Sequence, residues 1–325
     1  HIYFSFFLYL LRGTRPSDIV VLKTDPPLLS ILGWIAGLFR PFNKVAWCQD
    51  LFPEVAEHAF PAFPGKRLLF GALKGLRDIS LNQCDRVIAL SDDMAQLVRE
   101  LGVRQPVTTI PNWAIQREGG DGPDYAGLRE EWGLADRFIV GYSGNLGRAH
   151  DVDTFIRALP ELARLERLTL LFIGGGKGYR ILQDLAGDYP GDLLRFLPYQ
   201  PRKNLSQTLK VPHVHWFSLQ PEMTAHVSPS KFYGILEAGR PMIFLGNPES
   251  ALARSIVTRG CGLVVPSGDV DQLIRAVNRF FSDPKLLETS GSSAKGYASG
   301  VCSRSNRLHQ WRKFLLTGVS RMADR

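Results

Sequence analysis

The sequence is poor in sulfur, with four cysteines and four methionines in 325 residues. Cys48, Cys84, Cys261 and Cys302 lie far apart, with no CxxC pair and no zinc spacing. This argues against a disulfide framework or structural zinc and fits a reducing compartment with the thiols in the core. The apolar runs from Ile2 to Leu11 and from Leu28 to Phe39 fall short of the roughly 20 residues that span a bilayer, so no transmembrane helix is expected. The first run lacks a basic flank and a small-residue cleavage site, so it does not read as a signal peptide, and the natural chain is expected to continue upstream of His1. No run of five basic residues occurs, and the aromatics are not interleaved with Lys or Arg on a repeat, which argues against nucleic-acid binding. A P-loop is missing too. Gly174-Gly175-Gly176-Lys177-Gly178 lacks the Gly-Lys-Ser/Thr ending and fits the dinucleotide fingerprint poorly, so NTP hydrolysis is disfavoured.

What is present is a globular composition, 45% hydrophobic and 22% charged, in a chain long enough for about two domains. Lys plus Arg exceed Asp plus Glu by 39 to 31, and the net charge of +8 favours an anionic partner such as a phosphorylated small molecule or acidic lipid.

Short apolar runs at 138–142, 168–173, 194–196, 213–217, 242–245 and 262–265 alternate with amphipathic stretches, which predicts repeated βα units and a parallel, doubly wound sheet. Runs at 19–22, 45–48, 86–90 and 107–110 predict a second α/β domain with fewer strands. The Gly-, Asp- and Pro-rich stretch from Gln116 to Gly127 reads as the linker. We therefore expect domains over 1–120 and 121–300. A last helix over 301–325 is expected to pack back toward the first domain through Leu308, Trp311, Phe314 and Leu315.

Ligands of open α/β sheets bind outside the carboxyl ends of strands, so the loops there hold the candidates. Gly141 to Asp151 offers glycines for close backbone approach, with Arg148 and His150 as donors. Ile173 to Gly178 is a second glycine-rich exit. In the third loop, Ser228 is predicted as an N-cap with Pro229 at the first helical position, so that free N–H groups near Ser230 and the charge of Lys231 face an anion. Asp50 follows a strand, as does Lys23 to Pro27; each reads equally well as a site or as a structural cap. Glu54 reads as structural. His213 and His215 alternate along a buried strand and read as packed histidines rather than ligands. Phe63 to Leu81 mixes Lys66, Arg67, Lys74 and Arg77 with leucines, a pattern that suits an anionic bilayer surface or an ordinary domain helix.

Tyr142-Ser143-Gly144-Asn145-Leu146-Gly147, Ile173-Gly174-Gly175-Gly176, the run Pro229 to Pro241 and the run Cys261 to Asp269 together resemble the donor domain of glycosyltransferase family 4. Trp47 to Glu54 and Ile110 to Trp113 resemble the acceptor domain of its bacterial polysaccharide branch. The resemblance implies the GT-B fold, an α/β fold of two Rossmann-like domains facing across a cleft, with the first incomplete at its N-terminus. It also implies transfer of a sugar, with retention, from a nucleotide-diphosphate sugar to a saccharide or polyprenyl-linked acceptor in surface polysaccharide or lipopolysaccharide synthesis. No metal or other cofactor is required, and the enzyme is expected in the cytoplasm, in peripheral contact with an anionic membrane face.

By the same resemblance, Lys231, Arg148 and Asp50 are the catalytic candidates. A departing diphosphate without a metal needs cations and N–H groups, and Asp50 would orient the acceptor hydroxyl or donor sugar. Gly144, Asn145, Gly147, His150, Gly174, Gly175, His226, Ser228, Ser230 and Glu237 would hold the donor. The sequence departs from the family at the usual glutamate pair, where His226 and Gly234 stand, with Glu237 three residues further along as the substitute. An arginine and lysine of the first loop are replaced by Asn145 and His150, leaving Arg148 as the nearby cation. A catalytically silent binding protein and a nucleotide-sugar epimerase on the same fold stay open as alternatives.

Overall fold

The computed structural model describes residues 1–114 and 124–322. The chain divides into two compact units, His1–Pro111 with Glu222–Ser228 and Asn112–Pro221 with Pro229–Arg325. The expected linker begins at Gln116, after this division rather than at it. Its residues 116–123 lie outside the described ones, while its last residues are helical, because the Asp124 carboxylate accepts the Gly127 N–H at 2.9 Å and starts a helix at Tyr125.

The first unit contains α1 (Ile2–Gly13), β1 (Ile19–Lys23), α2 (Leu29–Phe39), β2 (Asn43–Trp47), α3 (Glu54–Ala59), α4 (Lys66–Asn82), β3 (Arg86–Ala89), α5 (Asp92–Glu100) and β4 (Val107–Thr109). Its strands pair in parallel in the order β1-β2-β3-β4, with Ile19 opposite Asn43 and Val87 opposite Val107. Leu22, Ala46, Cys48, Leu51, Leu81, Cys84, Val87 and Met94 are among the residues forming its buried core. Ser91 fixes the start of α5 by accepting the Met94 N–H at 3.1 Å, and Asp92 and Asp93 suit the positive end of the helix. All four cysteines are buried and unpaired.

The second unit continues with α6 (Tyr125–Glu131), β5 (Phe138–Asn145), α7 (Asp153–Leu162), β6 (Leu168–Gly175), α8 (Lys177–Asp184), β7 (Leu194–Leu197), α9 (Leu205–Thr208) and β8 (Val214–Ser218). It closes with α10 (Lys231–Ala238), β9 (Met242–Gly246), α11 (Ala251–Thr258), β10 (Gly262–Pro266), α12 (Val270–Ser282), α13 (Pro284–Ser299) and α14 (Arg304–Met322). The six strands are parallel in the order β10-β9-β8-β5-β6-β7, so the winding reverses between β5 and β8. Under the sheet lies an aromatic stack in which Phe155 and Trp216 have ring centroids 4.0 Å apart and nearly parallel planes, with Phe172 and Tyr142 against Trp216. Carboxylate caps at Asp269 and Asp283, the latter with Pro284 behind it, start α12 and α13.

All ten apolar runs singled out in the sequence form strands, shifted by at most three residues at either end. The α14 helix groups with the second unit; Trp311 and Phe314 are buried while Leu308 is exposed. His213 accepts the Ile139 N–H through Nδ1 at 3.0 Å and stacks on Phe138, and His215 Nε2 bonds the Leu209 carbonyl at 2.8 Å. Both are therefore occupied in packing.

Candidate active site

The reversal between β5 and β8 opens a gap at the carboxyl ends of those strands, where no crossover covers the sheet. Two glycines line it. Gly144 closes on φ +117° and Gly174 on φ +134°, and a Cβ on Gly174 would sit 2.3 Å from the Gly144 carbonyl oxygen. The turns after β5 and β6 thus press backbone against backbone, which side chains would prevent. A Cβ on Gly144 would also come within 3.0 Å of Lys231 Cε, so this glycine makes room for the lysine stem.

Lys231 is the first residue of α10. Its Nζ donates to the Asn145 carbonyl at 3.2 Å, lies 3.5 Å from His150 Nε2 and stands 5.1 Å from the centre of the Tyr142 ring. His150 bonds the Ser218 carbonyl through Nδ1, which assigns the imidazole proton to Nδ1 and turns the Nε2 lone pair toward the ammonium. Burial, and then the neighbouring Lys231 charge, push the His150 pKa down to about 4, so the ring is neutral. Burial lowers Lys231 to about 8, which leaves it mostly protonated at neutral pH. An ammonium held this way has three donors, two of which are directed at Asn145 and His150.

Other groups at this edge favour an anion as well. Neither α8 nor α10 has a side chain capping its first turn. The buried hydroxyls of Ser143 near the end of β5, Ser218 at the end of β8 and Ser267 after β10 have no hydrogen-bond partner among the described residues.

In the first unit the carboxyl ends of β1 and β2 carry a separate cluster. The Gln49 N–H donates to Thr24 Oγ1 at 2.9 Å, and the Leu51 N–H donates to the His226 carbonyl at 2.8 Å. Asp50 lies between them, exposed at its surface, with the protein around it raising its carboxyl above the ordinary value. A hydrogen bond from the Ser228 N–H opposes that rise, Asp25 reinforces it and Lys23 opposes it.

A family model for "Glycosyl transferases group 1" matches residues 126–296, just over half of the chain. The chain belongs to this family of glycosyltransferases. A probable glycosyltransferase from Pseudomonas aeruginosa, WbjE, is 25% identical over 309 residues, which are 93% of this chain and 74% of that one. Among solved structures, Anabaena HepE in complex with UDP aligns with a TM-score of 0.77 at 17% identity, over 96% of this chain and 82% of HepE. Sucrose-phosphate synthase from Thermosynechococcus elongatus aligns with a TM-score of 0.73 at 17% identity, over 98% and 78% of the two chains. The two parallel-sheet units have the GT-B fold of these glycosyltransferases.

Against this family frame, the sequence-predicted residues separate into groups. Lys231, Gly144, Asn145, His150 and Gly174 meet at the β5/β8 gap. Gly175 ends β6 and accepts the Leu146 N–H at 2.8 Å, and Gly147 accepts the His150 N–H in the same turn. Arg148 sits exposed in that turn with no ion-pair or hydrogen-bond partner among the described residues. Ser230 is exposed just before α10. Asp50, His226 and Ser228 come together in the first unit instead.

One expectation changes. Ser228 does not cap α10, which starts two residues later than predicted, the chain turning only where the Phe232 N–H reaches the Pro229 carbonyl at 3.2 Å. Glu237 points its carboxylate to Lys295 on α13, 2.6 Å away, six helical positions from Lys231 and on another face of α10. Sequence reasoning passed over Tyr142 and Ser218 as site residues. Their signal was position alone, since each lies at or near the end of a central strand.

Proposed function

We propose that this glycosyltransferase moves a sugar, with retention, from a nucleotide-diphosphate sugar to a saccharide or polyprenyl-linked acceptor in bacterial surface polysaccharide synthesis, at the cytoplasmic side of the membrane. The observation that carries the proposal is Lys231, a partly buried ammonium fixed at the β5/β8 gap between a strand-end carbonyl and a neutral histidine. As the glycosidic bond breaks, negative charge grows on the diphosphate. A cation already in place, in surroundings that screen poorly, stabilises that charge without reorganising.

Arg148, exposed in the adjacent turn, supplies a second cation from solution. The glycine turns supply close backbone approach and the uncapped start of α10 supplies backbone N–H groups, so no step is assigned to a metal. Asp50 is the residue we assign to orienting a hydroxyl. HepE is described in complexes with UDP and with UDP-glucose, which supports a uridine nucleotide as the first donor to test.

The test is calorimetric titration with UDP, GDP and dTDP in the presence of EDTA, followed by product analysis with the matching sugar nucleotide. One nucleotide should bind, and Lys231→Met should weaken it by roughly 10- to 100-fold, the worth of a charge-assisted hydrogen bond. Wild-type affinity should fall as pH rises through about 8, where the ammonium loses its proton, and the variant should lack that inflection. Absence of binding by all three nucleotides, or equal binding by the variant, would overturn the proposal.

A further inference from the structure

Helix α4 is inverted. A helix lying on a water-facing surface turns its apolar stripe inward and its charges outward. Here Arg77 is buried, with its guanidinium held by both Glu54 carboxylate oxygens at 2.8 and 2.9 Å, by Asp78 at 2.6 Å and by the Phe52 carbonyl at 3.0 Å. Lys74 pairs with Glu57 at 2.6 Å. The opposite side is apolar and open: Leu68, Leu69, Leu76 and Ile79 are 81%, 50%, 42% and 47% exposed. At 100° per residue they fall on one stripe with Ala72, facing away from the buried Phe70, Arg77, Ser80 and Leu81.

This corrects the electrostatic reading of the segment, since Lys74 and Arg77 are committed to α3 and Asp78 and do not face outward. The surroundings extend the apolar surface. Phe60 and Phe63 before α4, and Leu38 and Phe39 at the end of α2, which packs on α4, are exposed as well. The exposed charges on these elements are basic, with Arg67 on α4 and Arg40 after α2, and residues 26–49 contain neither Asp nor Glu.

We propose that the outward face of α4 is a membrane-docking surface, lying in the plane of a bilayer with Leu68, Leu69, Leu76 and Ile79 in the acyl boundary and Arg67 and Arg40 among anionic headgroups. A flat leucine face without hydrogen-bonding groups, whose exposed neighbouring charges are Arg67 and Arg40, is the composition of an interfacial helix. A second copy of the chain on this face would bring arginines toward arginines, whereas anionic lipid complements them. The ion pairs to α3 hold the helix in this orientation. The proposal rests on the reading that the acceptor is lipid-linked, and its test is independent of nucleotide binding.

Because the four native cysteines are buried, a Leu68→Cys variant of the full chain accepts an environment-sensitive fluorophore at that position alone. With vesicles of phosphatidylcholine and phosphatidylglycerol the label should shift to the blue, while a label on Val257→Cys, exposed on α11 of the second unit, should not. Leu68→Glu with Ile79→Glu should cut vesicle partition by about tenfold or more, the worth of withdrawing a large apolar side chain from the boundary, and leave nucleotide affinity unchanged. No shift with vesicles of either lipid would overturn the proposal. So would a shift that follows protein concentration without lipid, which would make the face a contact between copies. If vesicles bind but no nucleotide does, the transferase reading fails and the docking surface stands.

Discussion

The two units share strand direction and helix placement, yet they are wound differently. In the first, each crossover moves one place along the sheet in the same direction, β1 to β4. In the second, the chain runs outward from β5 to β7, returns to the centre as β8 and runs the other way. Right-handed crossovers then place helices on opposite faces on the two sides of the reversal, and the gap between them admits a ligand. The candidate residues follow this difference. Lys231, His150 and the tight glycines occupy the reversal, whereas Asp50, Asp25 and Lys23 stand at the end of a sheet with no reversal among the described strands. The surfaces differ too, for the first unit carries its charge inward on α4. One unit is thus organised around the reversal in its strand order and the other around an outward apolar face.

The largest effect is expected where that inversion is held. Arg77→Leu leaves Glu54 in a site where its side chain is 11% exposed, with no guanidinium to meet it. Removing one partner of a buried pair costs about 3–5 kcal/mol, and pairing the change with Glu54→Leu should recover most of it. Urea unfolding of the single and double variants measures both. Burial raises the Glu54 carboxyl, but the hydrogen bonds and charge of Arg77 outweigh it and hold it below its ordinary value. Its contribution is therefore present above the carboxylate range and lost as pH falls through its folded value. If Arg77→Leu alone is neutral, the ion pairs do not hold α4 and the contrast between the units weakens.

In the second unit the comparable test is Gly174→Ala. The added methyl meets the Gly144 carbonyl at 2.3 Å, at a φ of +134° that other residues rarely adopt. Overpacking and backbone strain together should cost about 2–4 kcal/mol and weaken nucleotide binding with it, since the turn that moves is the one against Lys231. Thermal unfolding and titration of the same sample separate the two losses. A variant of unchanged stability would mean that the two turns are not locked together.

Much of this contrast was legible in the residues. The ten strands could be read because short apolar runs bounded by helical patterns have few other solutions, and the glycine turns could be read because backbone contact tolerates no side chain. The start of α10 was misplaced because Ser228 followed by Pro229 is a good helix start in isolation, and nothing local shows that the helix begins only at Lys231. Periodicity in α4 defined an apolar face without saying whether it points in or out. The missed signal was the matched spacing of Glu54 and Glu57 with Arg77 and Lys74, two pairs three positions apart that can dock only with the charges inward. The partner of Glu237 lies 58 residues away on another helix, beyond any local pattern.

A smaller effect separates the units by pH. Burial is the first cause lowering all three strand-associated histidines of the second unit, His150 to about 4, His213 to about 3 and His215 to about 4. The unfolded chain takes up their protons below the ordinary value of 6.5 while the fold does not, so stability is complete above that value and drains as pH falls toward 4. Hydrogen exchange across β5 and β8 should therefore quicken on acidification before that of β2 and β3, where the depressed group is a carboxylate. Equal acceleration in both sheets would show that the units unfold together.

The smallest effect runs in the opposite direction and tests the inverted helix at its own backbone. Gly71 and Gly75 lie inside α4 with open space where a Cβ would be, unlike the crowded glycines of the second unit. A helix interior favours alanine over glycine by about 0.5–1 kcal/mol, because glycine loses more conformational freedom on folding. Gly71→Ala should therefore raise the melting temperature slightly, where Gly174→Ala lowers it substantially. The same substitution with opposite signs would place the conformational demand on glycine at the turn holding Lys231 and leave α4 free of it. Destabilisation by Gly71→Ala would instead mean that the outer face of α4 is already covered in the free protein.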